Sequence, residues 1–219
     1  MIPPQQNAEF VACMEDVLDV YERPYDAAYP VVCMDEQPTQ LIQETRVPIP
    51  AAPGEAERFD YEYRRNGTAV NFLFTEPLAD WRKVKVRQRK TAVDWAEEIR
   101  RLLETDYPQA DKVILVCDNL NTHKIGSLYE AFAPEQARCL RDRLEIHYTP
   151  KHGRWLNVAE IELSVFTRQC LDRRIGTIDA LGREAAAWFI CRNAARKSVN
   201  WRLTTDDARI KLKKLYPQF

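Results

Sequence analysis

The sequence predicts a mixed α/β fold built on a central sheet. Its 219 residues are 45% hydrophobic, which is enough to bury a full core. Short apolar runs typical of strands stand among longer segments whose apolar residues recur at helical spacing. The early strands have short connections, which favours antiparallel pairing, and the later strands are separated by helices, which requires parallel crossovers.

Local signals set the bounds of each predicted element. A cluster of prolines with Gly54 excludes regular structure, and Thr91 with Asp94 predicts a capping box at a helix start. In chain order we predict a helix over 8–22, a strand over 31–34, a loop over 45–60, strands over 68–75 and 81–88, a helix from Thr91, a strand over 113–117, a helix over 125–143 broken at Pro134, a strand over 144–148, a loop over 149–154, and helices over 155–171 and 178–195. Three antiparallel strands, then parallel strands, with helices on both faces form a ribonuclease-H-like arrangement.

Composition narrows the class of protein further. The longest apolar runs, Val31–Met34 and Val113–Cys117, are far too short to span a bilayer, and the first residues lack the features of a secretory signal. The six cysteines lack the C-x-x-C spacing of zinc-ribbon and redox sites. We therefore expect a cytoplasmic protein that has no membrane partner.

Charge is distributed unevenly along the chain, although the formal net charge is only −1. Residues 1–137 carry 15 Lys and Arg against 24 Asp and Glu, whereas residues 138–219 carry 17 against 9. Such asymmetry is typical of a chain whose basic half meets a polyanion. A solvated basic face without a partner is the alternative.

Two aspartates stand where chemistry is expected in an α/β sheet. Asp35 and Asp118 each follow a buried apolar run, at the strand end where open sheets place their ligands. If the two strands are neighbours, ~5 Å apart, the carboxylates repel by roughly 3 kcal/mol at an effective dielectric of ~20. A divalent cation relieves that repulsion, and Mg²⁺ and Mn²⁺ prefer carboxylate oxygens. The alternative is two unrelated aspartates that cap surface turns.

A third carboxylate would complete a site for two metal ions, which clamps the attacking and leaving oxygens of a phosphodiester. The predicted helix over 155–171 offers Glu160 and Glu162. On a helical wheel with ~100° per residue, they flank the apolar stripe at about 80° on opposite sides. Amphipathicity therefore cannot choose between them.

Three stretches resemble one family of enzymes: VVCMDEQPTQL around Asp35, VILVCDNLNTH around Asp118, and HYTPKHGRWLNVAEIELSVFTRQCLDRRI around Glu160. The chain resembles the catalytic domain of bacterial insertion-sequence transposases of the mariner-like branch, which are DDE superfamily endonucleases. The likeness runs over nearly the whole chain, to the terminal DARIKLKKLYP. In that family the acid after a Leu-Asn-x-x pattern is the third catalytic residue, which here is Glu160.

The resemblance implies metal-dependent cleavage and strand transfer of double-stranded DNA at transposon ends. Asp35, Asp118 and Glu160 would be the catalytic residues and the ligands of Mg²⁺ or Mn²⁺, with two ions bound. It implies an N-terminal linker helix over residues 1–26 and a ribonuclease-H-like DDE catalytic domain over residues 27–219, which ends in helices and a basic tail. Complete members carry an N-terminal helix-turn-helix region, and none precedes Phe10, so we expect a catalytic fragment that does not read element ends. A homodimer on DNA is left open.

Seven side chains are candidate DNA contacts. Those on the predicted strand over 81–88 form a cationic stripe, which could instead protect a sheet edge. His123 could instead cap the following helix, and the others lead into the helix that carries Glu160. The candidates are Lys83, Lys85, Arg87, His123, Lys151, His152 and Arg154.

Three further residues lie beside the predicted acids. Glu36 should point to the opposite side of the strand from Asp35, so we do not expect it to be a ligand. Asn119 could orient a metal-bound water, contact a phosphate or form a turn. Asn157 could bond Glu160, three residues on, or make an ordinary contact at the helix start.

Two other functions are compatible with the sequence. One is a catalytically inactive DNA-binding or assembly relic of a mobile element, and the other is a cellular ribonuclease-H-like nuclease that acts on RNA hybrids or junctions. The sequence has no P-loop, GxGxxG, HExxH or GxSxG motif, so nucleotide hydrolases, dehydrogenases, zincins and α/β-hydrolases have no motif support.

Overall fold

A five-stranded mixed sheet forms the centre of the protein, in a computed structural model that describes residues 7–58, 60–197 and 199–217. The strands are β1 (Val31–Glu44), β2 (Tyr63–Glu76), β3 (Trp81–Arg87), β4 (Val113–Asp118) and β5 (Leu144–Thr149). Their order across the sheet is β3-β2-β1-β4-β5. The first three strands pair antiparallel, and β4 and β5 pair in parallel with β1 and with each other.

Helices cover both faces of this sheet. They are α1 (Ala8–Tyr21), α2 (Ala92–Arg101), α3 (Ile125–Ala131), α4 (Pro134–Asp142), α5 (Val158–Phe166), α6 (Ile178–Ala194) and α7 (Thr205–Lys211). Side chains from α2, α3 and α4 share one core with Val32 and Met34, and we call this side the α2 face. Side chains from α1, α5, α6 and α7 share the other core with Cys33, and we call that side the α5 face. The predicted mixed sheet with helices on both faces is therefore confirmed.

Local sequence signals explain several helix ends. Thr91 and Asp94 form the predicted capping box, in which each side chain accepts a hydrogen bond from the backbone N–H of the other residue, at 3.2 and 2.9 Å. Pro134 begins α4, so the predicted break divides 125–143 into two helices. The segment predicted as one helix over 155–171 is instead a 3₁₀ turn, then α5, then a π-helical turn over Thr167–Leu171.

β1 is much longer than the predicted strand over 31–34. Its parallel pairing with β4 ends at Cys33, and from there on only the antiparallel pairing with β2 continues. Pro38 is tolerated because a proline can stand on the side of a strand where no donor is needed. As a result, Asp35 lies inside β1 rather than at its end, which corrects the sequence prediction.

The N-terminal helix belongs to the packed core of the α5 face. Phe10, Met14, Val17 and Leu18 of α1 are all buried there. Residues 1–6 of the predicted linker over residues 1–26 lie outside the described residues. The domain boundary at residue 26 stays a prediction. Within the described ranges, no helix is both long enough and apolar enough to cross a bilayer.

Candidate active site

Asp35 and Asp118 project from neighbouring parallel strands onto the same face of the sheet. In the β1–β4 ladder Cys33 lies opposite Val116, and both side chains belong to the core of the α5 face. Each aspartate follows its partner in this pair by two residues, and alternate side chains of a strand share a face. Asp35 and Asp118 are therefore both directed to the α5 face.

The start of α5 brings Glu160 to the same place. Asn157 is the N-cap, and its Oδ1 accepts a hydrogen bond from the backbone N–H of Ala159 at 3.1 Å. Its Nδ2 donates to the carbonyl oxygen of Met34 at 2.8 Å, one residue before Asp35. Asn157 thus fastens the first turn of α5, which contains Glu160, to the backbone of β1.

Glu162 points away from these acids and is fully buried between β3 and α6. It accepts two hydrogen bonds from Arg192, at 2.7 and 2.9 Å, and lies 3.4 Å from the buried guanidinium of Arg82. A helical wheel does not show which of Glu160 and Glu162 faces Asp35 and Asp118, but the contacts of the two side chains in the structure do. Glu162 is occupied by two arginines, and Glu160 faces Asp35.

The charge of Asp35 is destabilised by its surroundings. The residue is only 5% exposed, and its Oδ1 accepts one hydrogen bond, from the backbone N–H of Glu36 at 2.7 Å. Burial, together with the negative charges of Glu160 and Asp118, raises the pKa of Asp35 to about 7. These effects indicate that the three acids, Asp35, Asp118 and Glu160, interact electrostatically.

Arg154 stands between two of the three acids. Its Nε lies 2.5 Å from Oε1 of Glu160, and its Nη2 lies 3.9 Å from Oδ2 of Asp35. Its side chain is 68% exposed, so it remains accessible to solvent. The guanidinium partly neutralises Asp35 and Glu160. Contact of Arg154 with DNA, predicted from the sequence, stays a prediction.

The donor set suits a hard divalent cation. All three acids offer carboxylate oxygens, the ligands that Mg²⁺ and Mn²⁺ prefer. Oδ1 of Asp118 and Oε1 of Glu160 are buried without a well-aligned hydrogen bond, although a cationic side chain lies within ion-pair distance of each. Over the part of the chain that the structure describes, no three acidic, histidine or cysteine side chains are already gathered as a metal site.

His123 and Glu36 form a buried pair beside the acids, on the α2 side of β1. His123 Nε2 lies 2.9 Å from Oε1 of Glu36, and Nδ1 lies 2.6 Å from Oδ1 of Asp118. Although burial alone would lower it, the neighbouring side chains of Asp118, Cys117 and Glu36 raise the pKa of His123 to about 11. His123, predicted as a DNA contact, is fully buried and offers no surface to DNA.

The cationic stripe of β3 lies on the α2 face, opposite the three acids. Lys83 forms an ion pair with Asp106, and Arg87 forms ion pairs with Glu98 at 2.6 Å and Asp94 at 3.2 Å. β3 is also an edge strand of the sheet. These ion pairs account for Lys83 and Arg87 without DNA, whereas for Lys85, which lies between them, the DNA contact stays a prediction.

The remaining predicted contacts lie near the acids. Lys151 and His152 are exposed in the turn that precedes Arg154. A groove of about 220 Å³ opens beside Arg154 and Glu160, between β1 and α5. A more apolar cavity of about 270 Å³, lined in part by Tyr21 and Trp201, lies elsewhere and contains none of the three acids. Glu160 is the member of the three acids that lines the groove.

Comparison with known proteins identifies the family and the fold of the chain. A family model described as DDE superfamily endonuclease matches residues 30–182. Among solved structures, the fold is similar to a Mos1 transposase paired-end complex with the left transposon end (TM-score 0.57, 14% identity), a Mos1 mariner paired-end complex with Mn (0.55, 14%) and the Mos1 strand transfer complex (0.57, 13%). Each alignment covers 87% of this chain but only 56–58% of the other chain. The ribonuclease-H-like fold prediction is confirmed. Curated protein sequences give no significant match.

Replacing Asp35 by Asn should stabilise the metal-free protein, and more so as the pH rises. Because the folded-state pKa of Asp35 is raised from 3.8 to about 7, ionisation costs stability as the pH rises from 3.8 to about 7. Thermal unfolding in EDTA should show a gain on the order of 1–4 kcal/mol at pH 8 and little gain at pH 4. A gain that does not depend on pH would contradict this electrostatic explanation.

Glu162→Gln should destabilise the protein by roughly 3–5 kcal/mol, because it leaves the buried Arg82 and its neighbour Arg192 short of a countercharge. Urea unfolding measures this loss. Glu160→Gln is the matched control, since Arg154, its partner, is mostly exposed and can be solvated. Equal stability of the two variants would show that Glu162 is not the structural acid of the pair.

Proposed function

The chain belongs to the DDE superfamily endonuclease family, and on that premise we propose that it is the catalytic domain of a DNA transposase of the mariner-like branch, from a bacterial insertion sequence. It would cleave phosphodiester bonds of double-stranded DNA at transposon ends and join the ends to a target. The observation that carries the proposal is the placement of Asp35, Asp118 and Glu160 on one face of the sheet, from β1, β4 and α5.

The comparisons favour transposition over other endonuclease activities, and the charge distribution favours a polyanion such as DNA as the partner. The similar Mos1 structures are described as complexes with transposon ends and as a strand transfer complex. This chain spans less than three fifths of their length, so its action at transposon ends and its assembly on DNA as a homodimer are parts of the proposal. The basic half, residues 138–219, carries α5 and the exposed turn beside the acids, where a phosphate backbone would lie.

Asp35, Asp118 and Glu160 would hold Mg²⁺ or Mn²⁺, two ions in the full site. When bound, these ions supply Lewis-acid activation of the attacking hydroxyl and stabilisation of the leaving oxygen. Asp35 must give up its carboxyl proton to act as a ligand, and Arg154 must release Glu160. Arg154 then stands at the mouth of the groove, free to bind a phosphate oxygen of the substrate.

Loss of a ligand should abolish cleavage without unfolding the chain. Asp118→Asn should reduce the nicking of supercoiled plasmid by more than about a hundredfold, equivalent to roughly 2.7 kcal/mol of transition-state stabilisation. The assay compares Mg²⁺, Mn²⁺ and EDTA, with Asp142→Asn as an exposed control acid at the end of α4. Nicking at the wild-type rate would disprove the role of Asp118, and nicking in EDTA would disprove the metal dependence.

The third acid can be tested within one helix. Glu160→Gln should be inactive, whereas Glu162→Gln should keep most of its activity per folded molecule, because only Glu160 faces Asp35. Rates are normalised to the folded fraction measured by circular dichroism. An active Glu160→Gln together with an inactive, folded Glu162→Gln would move the ligand to Glu162. A wild-type chain that binds DNA but never cleaves it would favour the inactive relic.

A further inference from the structure

The backbone pairing of β1 with β4 stops short of the proposed catalytic residues. Its last pair is Cys33 with Val116, and Asp35 and Asp118 each lie two residues further along. Beyond that point β1 pairs with β2, and β4 pairs with β5. The β1–β4 ladder therefore does not reach the two carboxylates, so side-chain contacts between the two segments also bear on the distance between them.

A side-chain bridge crosses the gap between the two strands. His123, on the loop after β4, contacts Glu36 through Nε2 at 2.9 Å and Asp118 through Nδ1 at 2.6 Å. Glu36 directly follows Asp35 in β1 but points to the opposite face. The bridge therefore joins the backbone segment that carries Asp35 to the carboxylate of Asp118.

This bridge is held in place by its own neighbours. The side chain of His123 is fully buried, its ring stacks on Trp95 at 5.8 Å between centroids, and its carbonyl oxygen accepts a hydrogen bond from the hydroxyl of Tyr148 at 2.7 Å. The side chain of Glu36 is only 2% exposed, and Lys90 lies 3.7 Å from its second oxygen. The imidazole has little freedom to move, so its position also limits the movement of Asp118.

A buried bridge of this kind is not expected to add much to the stability of the fold. Burying two opposite charges costs several kcal/mol, and their attraction often does no more than offset that cost. In contrast, partners that orient a metal ligand commonly change metal affinity by about 10–100-fold when they are removed. The side chain of Asp118 remains 27% exposed, so one part of it stays accessible while His123 holds Oδ1.

We propose that Glu36 and His123 are positioning residues, which hold Asp118 at a fixed distance and orientation from Asp35 so that both can bind one divalent cation. This inference rests on the proposed function, because it takes the two aspartates as metal ligands. The carboxylate of Glu36 acts through His123 rather than as a ligand. Its removal should therefore weaken metal binding although the three acids remain intact.

A second bridge in the same chain offers a matched control. His147 on β5 lies 2.8 Å from Asp16 and 2.9 Å from Glu145, so it also joins two carboxylates across elements. Neither of these carboxylates belongs to the three acids. His147→Gln removes the same chemistry elsewhere on the sheet and should leave metal affinity unchanged.

Mn²⁺ titration of the whole chain, by calorimetry or by the electron paramagnetic resonance of free Mn²⁺, tests the inference. Glu36→Gln and His123→Gln should each weaken Mn²⁺ binding at least tenfold, with a native circular dichroism spectrum. The double variant should be no weaker than the worse single variant, because the two residues act as one unit. Unchanged affinity in folded Glu36→Gln, or fully additive losses, would overturn the proposal; if Glu36→Gln does not fold, unchanged affinity in His123→Gln overturns it instead.

The same titration separates this inference from the proposed function. A wild-type chain that binds Mn²⁺ through Asp118 but cleaves no DNA would contradict the transposase activity and leave the positioning role intact. Conversely, a chain that cleaves plasmid while Glu36→Gln keeps wild-type affinity would contradict only the positioning role. A wild-type chain that binds no Mn²⁺ at all would overturn both.

Discussion

Asp35 places a carboxyl group inside the protein within reach of two more acids, and burial with their repulsion raises its pKa to about 7. A buried carboxylate without a cation is costly, so the surroundings of Asp35 have to supply positive charge or leave the group protonated. The metal-free structure uses both solutions. Arg154 reaches in from the turn before α5, and the carboxyl group of Asp35 is partly protonated at neutral pH.

The elements around Asp35 direct Asp118 and Glu160 to the same side of the sheet, where the three acids interact electrostatically, and other charges are paired elsewhere. Asn157 fastens the start of α5 to β1, which brings Glu160 close. Glu162, two residues later, is held by Arg82 and Arg192 on the far side of the helix. Both glutamates are paired, but the partner of Glu160, Arg154, is 68% exposed and can turn into solvent, whereas the arginines that hold Glu162 are buried or nearly so.

Much of the fold followed from local sequence signals, because periodicity, capping and proline positions act within a few residues. The length of β1 could not be predicted from such signals. Pro38 is acceptable in β1 only because β4 no longer pairs with β1 at that point, and the end of that pairing is a property of the whole sheet. A helical wheel also cannot distinguish Glu160 from Glu162, because it contains only the residues of one helix, and the arginines that bind Glu162 lie on β3 and α6. The position of Glu36 beside Asp35 predicts that it is no ligand, but its partner His123, 87 residues away, connects it to the site.

The proposed function requires that Asp35, Asp118 and Glu160 form one binding site for divalent cations. The most direct measurement is a crystal structure of the chain with Mn²⁺, with the ion located by its anomalous scattering. The structure predicts a peak within about 2.5 Å of carboxylate oxygens from these acids, with Arg154 displaced from Glu160. Mn²⁺ bound only elsewhere, or an Arg154–Glu160 pair that persists at saturating Mn²⁺, would contradict the claim.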